Sequence, residues 1–135
     1  MKTFKEILSE GKKVKVGSVT IDTNNDFQRQ LLNQSELDPM NGLKTPLTVK
    51  QIEDIAKKSK KYWKDGGVTV NENGKKVWIG LNYLHPDGFY AGWNYDGWAS
   101  SSKDQPDPNK AVNEAIGKLK EYMKDKRAFK DKYGN

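Results

Sequence analysis

Between Val68 and Trp98 the chain reads VTV, NENG, KKVWIGLNYL, HPDG, FYAGWNYDGW. Apolar and polar residues alternate within each run, and a period of two puts successive side chains on opposite faces of a strand. Asn73-Gly74 suits a hairpin turn that needs positive φ, and Pro86-Asp87-Gly88 suits a type I turn closed by glycine. The stretch predicts a three-stranded antiparallel meander over about residues 67–98. Val77, Ile79, Leu81 and Tyr83 share a face on the middle strand, as do Phe89, Ala91, Trp93 and Tyr95 on the next, and these are the expected core face. Trp78, Gly80 and Asn82, then Tyr90, Gly92 and Asn94, take the reverse face.

Two helical patterns flank the meander. Thr48 with Gln51 forms a capping box ahead of a stripe of Ile52, Ile55, Ala56, Ser59, Tyr62 and Trp63, and Gly66-Gly67 ends it. Asp107 caps a second helix with Pro108 at its first position and a stripe of Ala111, Val112, Ala115, Ile116, Leu119, Tyr122 and Met123. Helices over about 48–64 and 108–127 can cover one face of the meander, which makes the fold class α+β. "SSSKDQPDPN" reads as a polar connector and "DKYGN" as a fraying end.

Upstream, Phe4, Ile7 and Leu8 share a face of a short helix over residues 2–9 that Gly11 stops. Val14–Ile21 is β-branched and alternating, so it reads as a strand bulged at Gly17. "DTNND" is a turn, residues 27–37 suit a short helix, and "DPMNGLKTP" is a loop. The 135 residues amount to one domain, here expected over residues 11–135. Only 34% are apolar and 31% are charged, so the core must lean on four Trp, six Tyr and four Phe.

Much catalytic chemistry lacks its residues. There is no Cys, which removes disulfides, thiolate nucleophiles and Cys-based zinc sites. His85, the single histidine, cannot build a His/Cys metal site or a conventional triad and reads as a turn residue. "DTNNDF" has calcium-loop ligand spacing at three positions but lacks the turn glycine and the closing Glu, so it too reads as a turn. Glu53 and Asp54 adjoin in sequence but not on one helix face, and no glycine cluster precedes a helix as a phosphate cradle. The expectation is a non-enzymatic protein with no cofactor and no metal. No apolar run approaches a membrane span, so no membrane partner is expected.

Two surfaces remain. Trp78 and Tyr90, with Asn82 and Asn94, form an aromatic face that Gly80 and Gly92 leave accessible. Such rings stack bases or fill partner pockets. The competing reading has residues 14–37 covering them as a second core layer. The lysine faces, Lys57, Lys58, Lys61 and Lys64 on one helix and Lys120, Lys124 and Arg127 on the other, can track phosphates or simply solvate the helices. A net charge of +6 favours acidic partners. A host protein or nucleic acid, and DNA by charge, are the partners these surfaces suit.

The opening "MKTFKEILSE|G" resembles the capsid-targeting peptide of internal head proteins of T-even-type tailed phages. Those peptides begin Met-Lys-Thr-aromatic, form a short amphipathic helix and end in Leu/Ile-x-Glu, after which the prohead protease cuts. Leu8-Ser9-Glu10 matches that end, with Gly11 as the new first residue. Leu119-Lys120-Glu121 also fits the triplet, but inside an expected helix. The resemblance covers residues 1–10 and implies a virion-interior protein, packaged with DNA, delivered to the host cytoplasm and acting against host defences. The order α–β–β–β–α also looks like the double-stranded-RNA-binding domain, but the Lys-Lys-x-Ala-Lys start of that family's last helix is replaced by "DPNKAVNEA". A nucleic-acid-binding module is therefore the alternative function.

Overall fold

The computed structural model describes residues 13–134, so the leader reading of residues 1–10 and its processing residues Leu8, Glu10 and Gly11 lie outside the described residues. The chain is α+β, with five helices and two antiparallel sheets among the described residues. Where the sequence reading has one domain from residue 11 on, the backbone gathers into two compact units. One runs through Gly66 and takes in Tyr83–Pro86; the other holds Gly67–Asn82 and the chain from Asp87 onward.

Among the described residues the first unit opens with a hairpin rather than a bulged strand. Strand β1 (Lys13–Val16) pairs with β2 (Val19–Asp22), Val16 opposite Val19. Gly17 takes φ +59° and lets the chain reverse in two residues. Asn25 then caps helix α1 (Asp26–Asn33) by accepting from the Gln28 amide at 3.0 Å. This helix is shorter than residues 27–37. Thr48 and Gln51 form the expected capping box on helix α2 (Val49–Lys58), at 3.1 and 2.9 Å. The expected helix over 48–64 breaks at Ser59, whose buried hydroxyl donates to the Ile55 carbonyl at 2.6 Å, a back-bond that bends helices. The chain resumes as the short helix α3 (Lys60–Trp63). Val16, Ile21, Phe27, Leu31, Leu32, Leu47, Ile52, Ile55 and Tyr62 form this unit's core.

Two glutamines of α1 and Gln34, just past its end, tie this unit together. The Gln28 side chain accepts from the Asp22 amide at 2.7 Å and donates to the Trp63 carbonyl at 2.7 Å. Gln30 accepts from the Tyr83 amide, while Gln34 donates to the Tyr83 carbonyl and accepts from the His85 amide, at 2.7 to 2.8 Å. The two side-chain amides thus serve residues 83–85 as a neighbouring strand would.

The second unit holds a sheet with one strand more than expected. Strands β3 (Gly67–Glu72), β4 (Lys75–Leu84), β5 (Gly88–Tyr95) and β6 (Trp98–Ser101) lie in the order β3-β4-β5-β6. Asn73 and Gly74, at φ +50° and +73°, make the expected two-residue turn; Asp96 and Gly97, at +54° and +73°, make a second one that starts β6. The element order is thus α–β–β–β–β–α, one strand longer than the double-stranded-RNA-binding topology. Helix α4 (Pro108–Lys124) starts at Asp107, which accepts from the Asn109 amide at 2.8 Å. It ends where Asp125 turns extended, and Asp125 then caps helix α5 (Lys126–Tyr133). The chain end read as fraying is therefore helical through Tyr133.

The face alternation holds. Val77, Ile79, Leu81, Phe89, Ala91 and Trp93 are buried, with Ala111, Val112, Ala115, Leu119, Tyr122 and Phe129 from the helices. Trp93 donates its indole N–H to the Ala115 carbonyl at 2.9 Å and packs on the Tyr122 and Phe129 rings. Tyr83 and Tyr95 are only half-buried. Of the two helices expected to cover the meander, α4 belongs to the sheet's unit. The segment over 48–64 belongs to the other unit, where Phe27 meets Trp63 edge-on at 6.0 Å.

Candidate functional site

The sheet face away from α4 carries a groove of about 400 Å³ lined by Trp78, Gly80, Asn82, Gly92, Trp93, Asn94, Ala99 and Ser100. Register builds it. Gly67 stands opposite Gly80 and Thr69 opposite Trp78; Asn94 stands opposite Ala99 and Gly92 opposite Ser101. The glycines do more than leave a ring accessible, because the Trp78 indole lies over them. A Cβ on Gly80 would sit 3.3 Å from the indole nitrogen, and one on Gly67 would sit 2.9 Å from Cζ2 and collide with the Ile79 carbonyl. The ring is therefore laid along the sheet, and Trp78 still exposes 47% of its surface.

Of the aromatic set, Trp78, Asn82 and Asn94 come together in this groove. Tyr90 is half-buried and does not line it. Ala99 and Ser100 join from β6; the sequence reading ends its third strand at Trp98 and begins its polar connector at Ser100. No lining residue is charged, so the groove offers ring, amide and hydroxyl groups and no site for a phosphate charge.

The lysine faces divide differently from the sequence grouping. Lys57 and Lys64 line a second concavity, of about 540 Å³, together with Lys50 and Lys60, Ser18, Val19, Glu53, Asp54, Ala56 and Trp63. Lys61 instead lies over the Tyr62 ring, 5.5 Å from its centroid, and Lys58 is not among the lining residues. Lys120, Lys124 and Arg127 stand exposed on α4 and α5 of the other unit. Their neighbours serve the fold: Lys126 pairs with Asp96 at 2.7 Å, and Lys130 lies over Trp98 at 4.9 Å.

Glu53 closes one wall of the lysine-lined groove. Its carboxylate accepts from both the hydroxyl and the amide of Ser18, the latter at 2.9 Å, and pins the hairpin turn to α2. The Ser18 hydroxyl, then the Ser18 amide, hold the Glu53 carboxyl below the usual carboxylate range. A Cβ on Gly17 would meet that carboxylate at 2.8 Å, so glycine is needed here for approach as well as for its φ. Glu114 works alike in the other unit. Burial pushes its carboxyl up, but the Lys103 amide at 2.7 Å, with help from Gln105 and Lys118, outweighs that and lowers it.

His85 lies with its Nδ1 3.3 Å from the Tyr83 hydroxyl, the two rings stacked. Among the described residues no group of three or more His, Asp or Glu side chains is placed to hold a metal ion, and no helix is long and apolar enough to cross a membrane. Comparison with protein-family models, curated proteins and solved structures finds no match to this chain.

Proposed function

We propose that the protein is a non-enzymatic binding protein from the interior of a T-even-type phage head, delivered with the DNA, which grips a host protein through the open face of its four-stranded sheet. The observation that carries the binding reading is Trp78, half exposed on a bed of glycines in an uncharged groove. A large ring held rigid beside amides and small side chains is the composition of a protein-recognition anchor. The lack of charge in the groove favours a protein over a phosphate backbone there. Support for the phage reading is the peptide resemblance over residues 1–10 and a +6 charge suited to packing beside DNA.

The test is capture from host lysate by the chain lacking residues 1–10. A partner retained by this chain and lost with Trp78→Ala, at unchanged circular dichroism and with little response to salt, supports the reading. Equal capture by Trp78→Ala overturns the site. Mass spectrometry of the protein from mature particles tests the origin, since a chain there starting at Met1 counts against processing.

A further inference from the structure

Residues 50–64 hold six lysines against Glu53 and Asp54, so four of the chain's six excess positive charges fall in this one stretch. Lys50, Lys57, Lys60 and Lys64 line the same groove: Lys50 and Lys57 stand two turns apart on α2, and Lys60 and Lys64 four residues apart beyond the break at Ser59. On α2 alone, Lys50 to Lys57 spans about 10 Å at the helical rise, and Lys60 and Lys64 continue the row beyond the break at Ser59. The row is far longer than one phosphate and comparable with several charges of a nucleic-acid strand, which come about every 3.4 Å when stacked.

Trp63 lines the groove with them and is held in place. Its carbonyl accepts from Gln28 at 2.7 Å and from Asn25 at 3.3 Å, and its ring meets Phe27 at 85°. Of the two carboxylates at the groove, Glu53 is already engaged by Ser18 and Asp54 is exposed. The combination is a cationic row with a fixed aromatic ring beside it. An acidic peptide would satisfy the lysines and leave the ring without a flat partner. A duplex keeps its bases stacked inside and offers the groove only phosphates. A single strand offers both phosphates and base faces.

We propose that this groove binds single-stranded nucleic acid, with phosphates along Lys50, Lys57, Lys60 and Lys64 and a base packed against Trp63. The site is independent of the sheet-face groove, which belongs to the other unit. The test is fluorescence anisotropy of the full chain with a labelled oligothymidylate, a duplex of equal charge and polyglutamate. The strand should bind tightest, with log affinity falling against log salt at a slope near −3 for four contacts. Lys57→Gln with Lys64→Gln, both exposed, should roughly halve that slope. Trp63→Ala should weaken strand binding roughly tenfold or more and leave duplex binding unchanged. Trp63→Phe should restore most of it, which separates stacking from a folding defect. Trp78→Ala should change nothing here. Duplex or polyglutamate binding as tight as the strand, or a slope unmoved by the lysine pair, overturns the proposal.

Discussion

Two grooves of this protein each hold a tryptophan, in opposite electrical settings. Trp78 lies on glycines in a groove without a charged lining residue, whereas Trp63 stands beside four lysines. Rigidity is reached differently too. Trp78 is placed by what is missing beneath it, and Trp63 by hydrogen bonds to its own carbonyl and a perpendicular Phe27 ring. A whole-chain charge of +6 therefore describes neither surface. It averages one uncharged groove with one short helical stretch that holds most of the excess.

The sharpest way to break this comparison is to remove the support of one unit. Trp93→Ala deletes a buried ring and its hydrogen bond to Ala115 and should cost about 3–5 kcal/mol, read by denaturant unfolding. Amide exchange should rise at Ile79 and Leu81 before Ile52 and Ile55, and an equal rise at both would mean the two units open together. Gly17→Ala comes next, at about 1–2 kcal/mol for the left-handed backbone alone, with further loss from the Glu53 carboxylate in its way. It should loosen the hairpin turn and leave the Trp78 indole signal in place.

Acid should sharpen the same contrast. The folded Glu53 carboxyl lies below its ordinary range, so its contribution is complete above that range and is lost as pH falls through the folded value. The Ser18 amide shift should follow that loss in an NMR titration, while the uncharged sheet groove stays as it is. Gly80→Ala has the smallest effect, about 0.5 kcal/mol or less. It should move the Trp78 indole N–H resonance, because a Cβ there presses on the ring nitrogen at 3.3 Å. An unmoved resonance would separate the ring from its glycine bed.

Local signals carried much of this architecture. Alternation sorted the buried from the exposed residues of β4 and β5 correctly at Val77, Ile79, Leu81, Phe89, Ala91 and Trp93. The Thr48 capping box, the Asn73-Gly74 turn and the Asp107-Pro108 helix start are backbone chemistry written in adjacent residues. Asp96-Gly97 is the same kind of turn signal as Asn73-Gly74, and it divides the run read as one third strand into β5 and the start of β6. Long-range bonds left no such mark. Gln28, Gln30 and Gln34 carry no local signal that sets them apart from other polar residues until the partners at Trp63, Tyr83 and His85 are known. At the sites, sequence singled out Trp78, Lys57 and Lys64, but the grouping of Lys50 and Lys60 with Trp63 needed the bend at Ser59 and the hairpin turn that walls the groove.

The glutamine bonds to residues 83–85 also bear on how the molecule can be taken apart. Because Tyr83–Pro86, the last two residues of β4 and the two that follow, are claimed by the first unit, the polypeptide passes from one unit to the other three times, after Gly66, Asn82 and Pro86. No single cut yields either half intact. A fragment ending at Gly66 would strand the Gln30 and Gln34 amides without the backbone they serve, so dissecting this protein calls for circular permutation or grafted peptides in place of simple truncation.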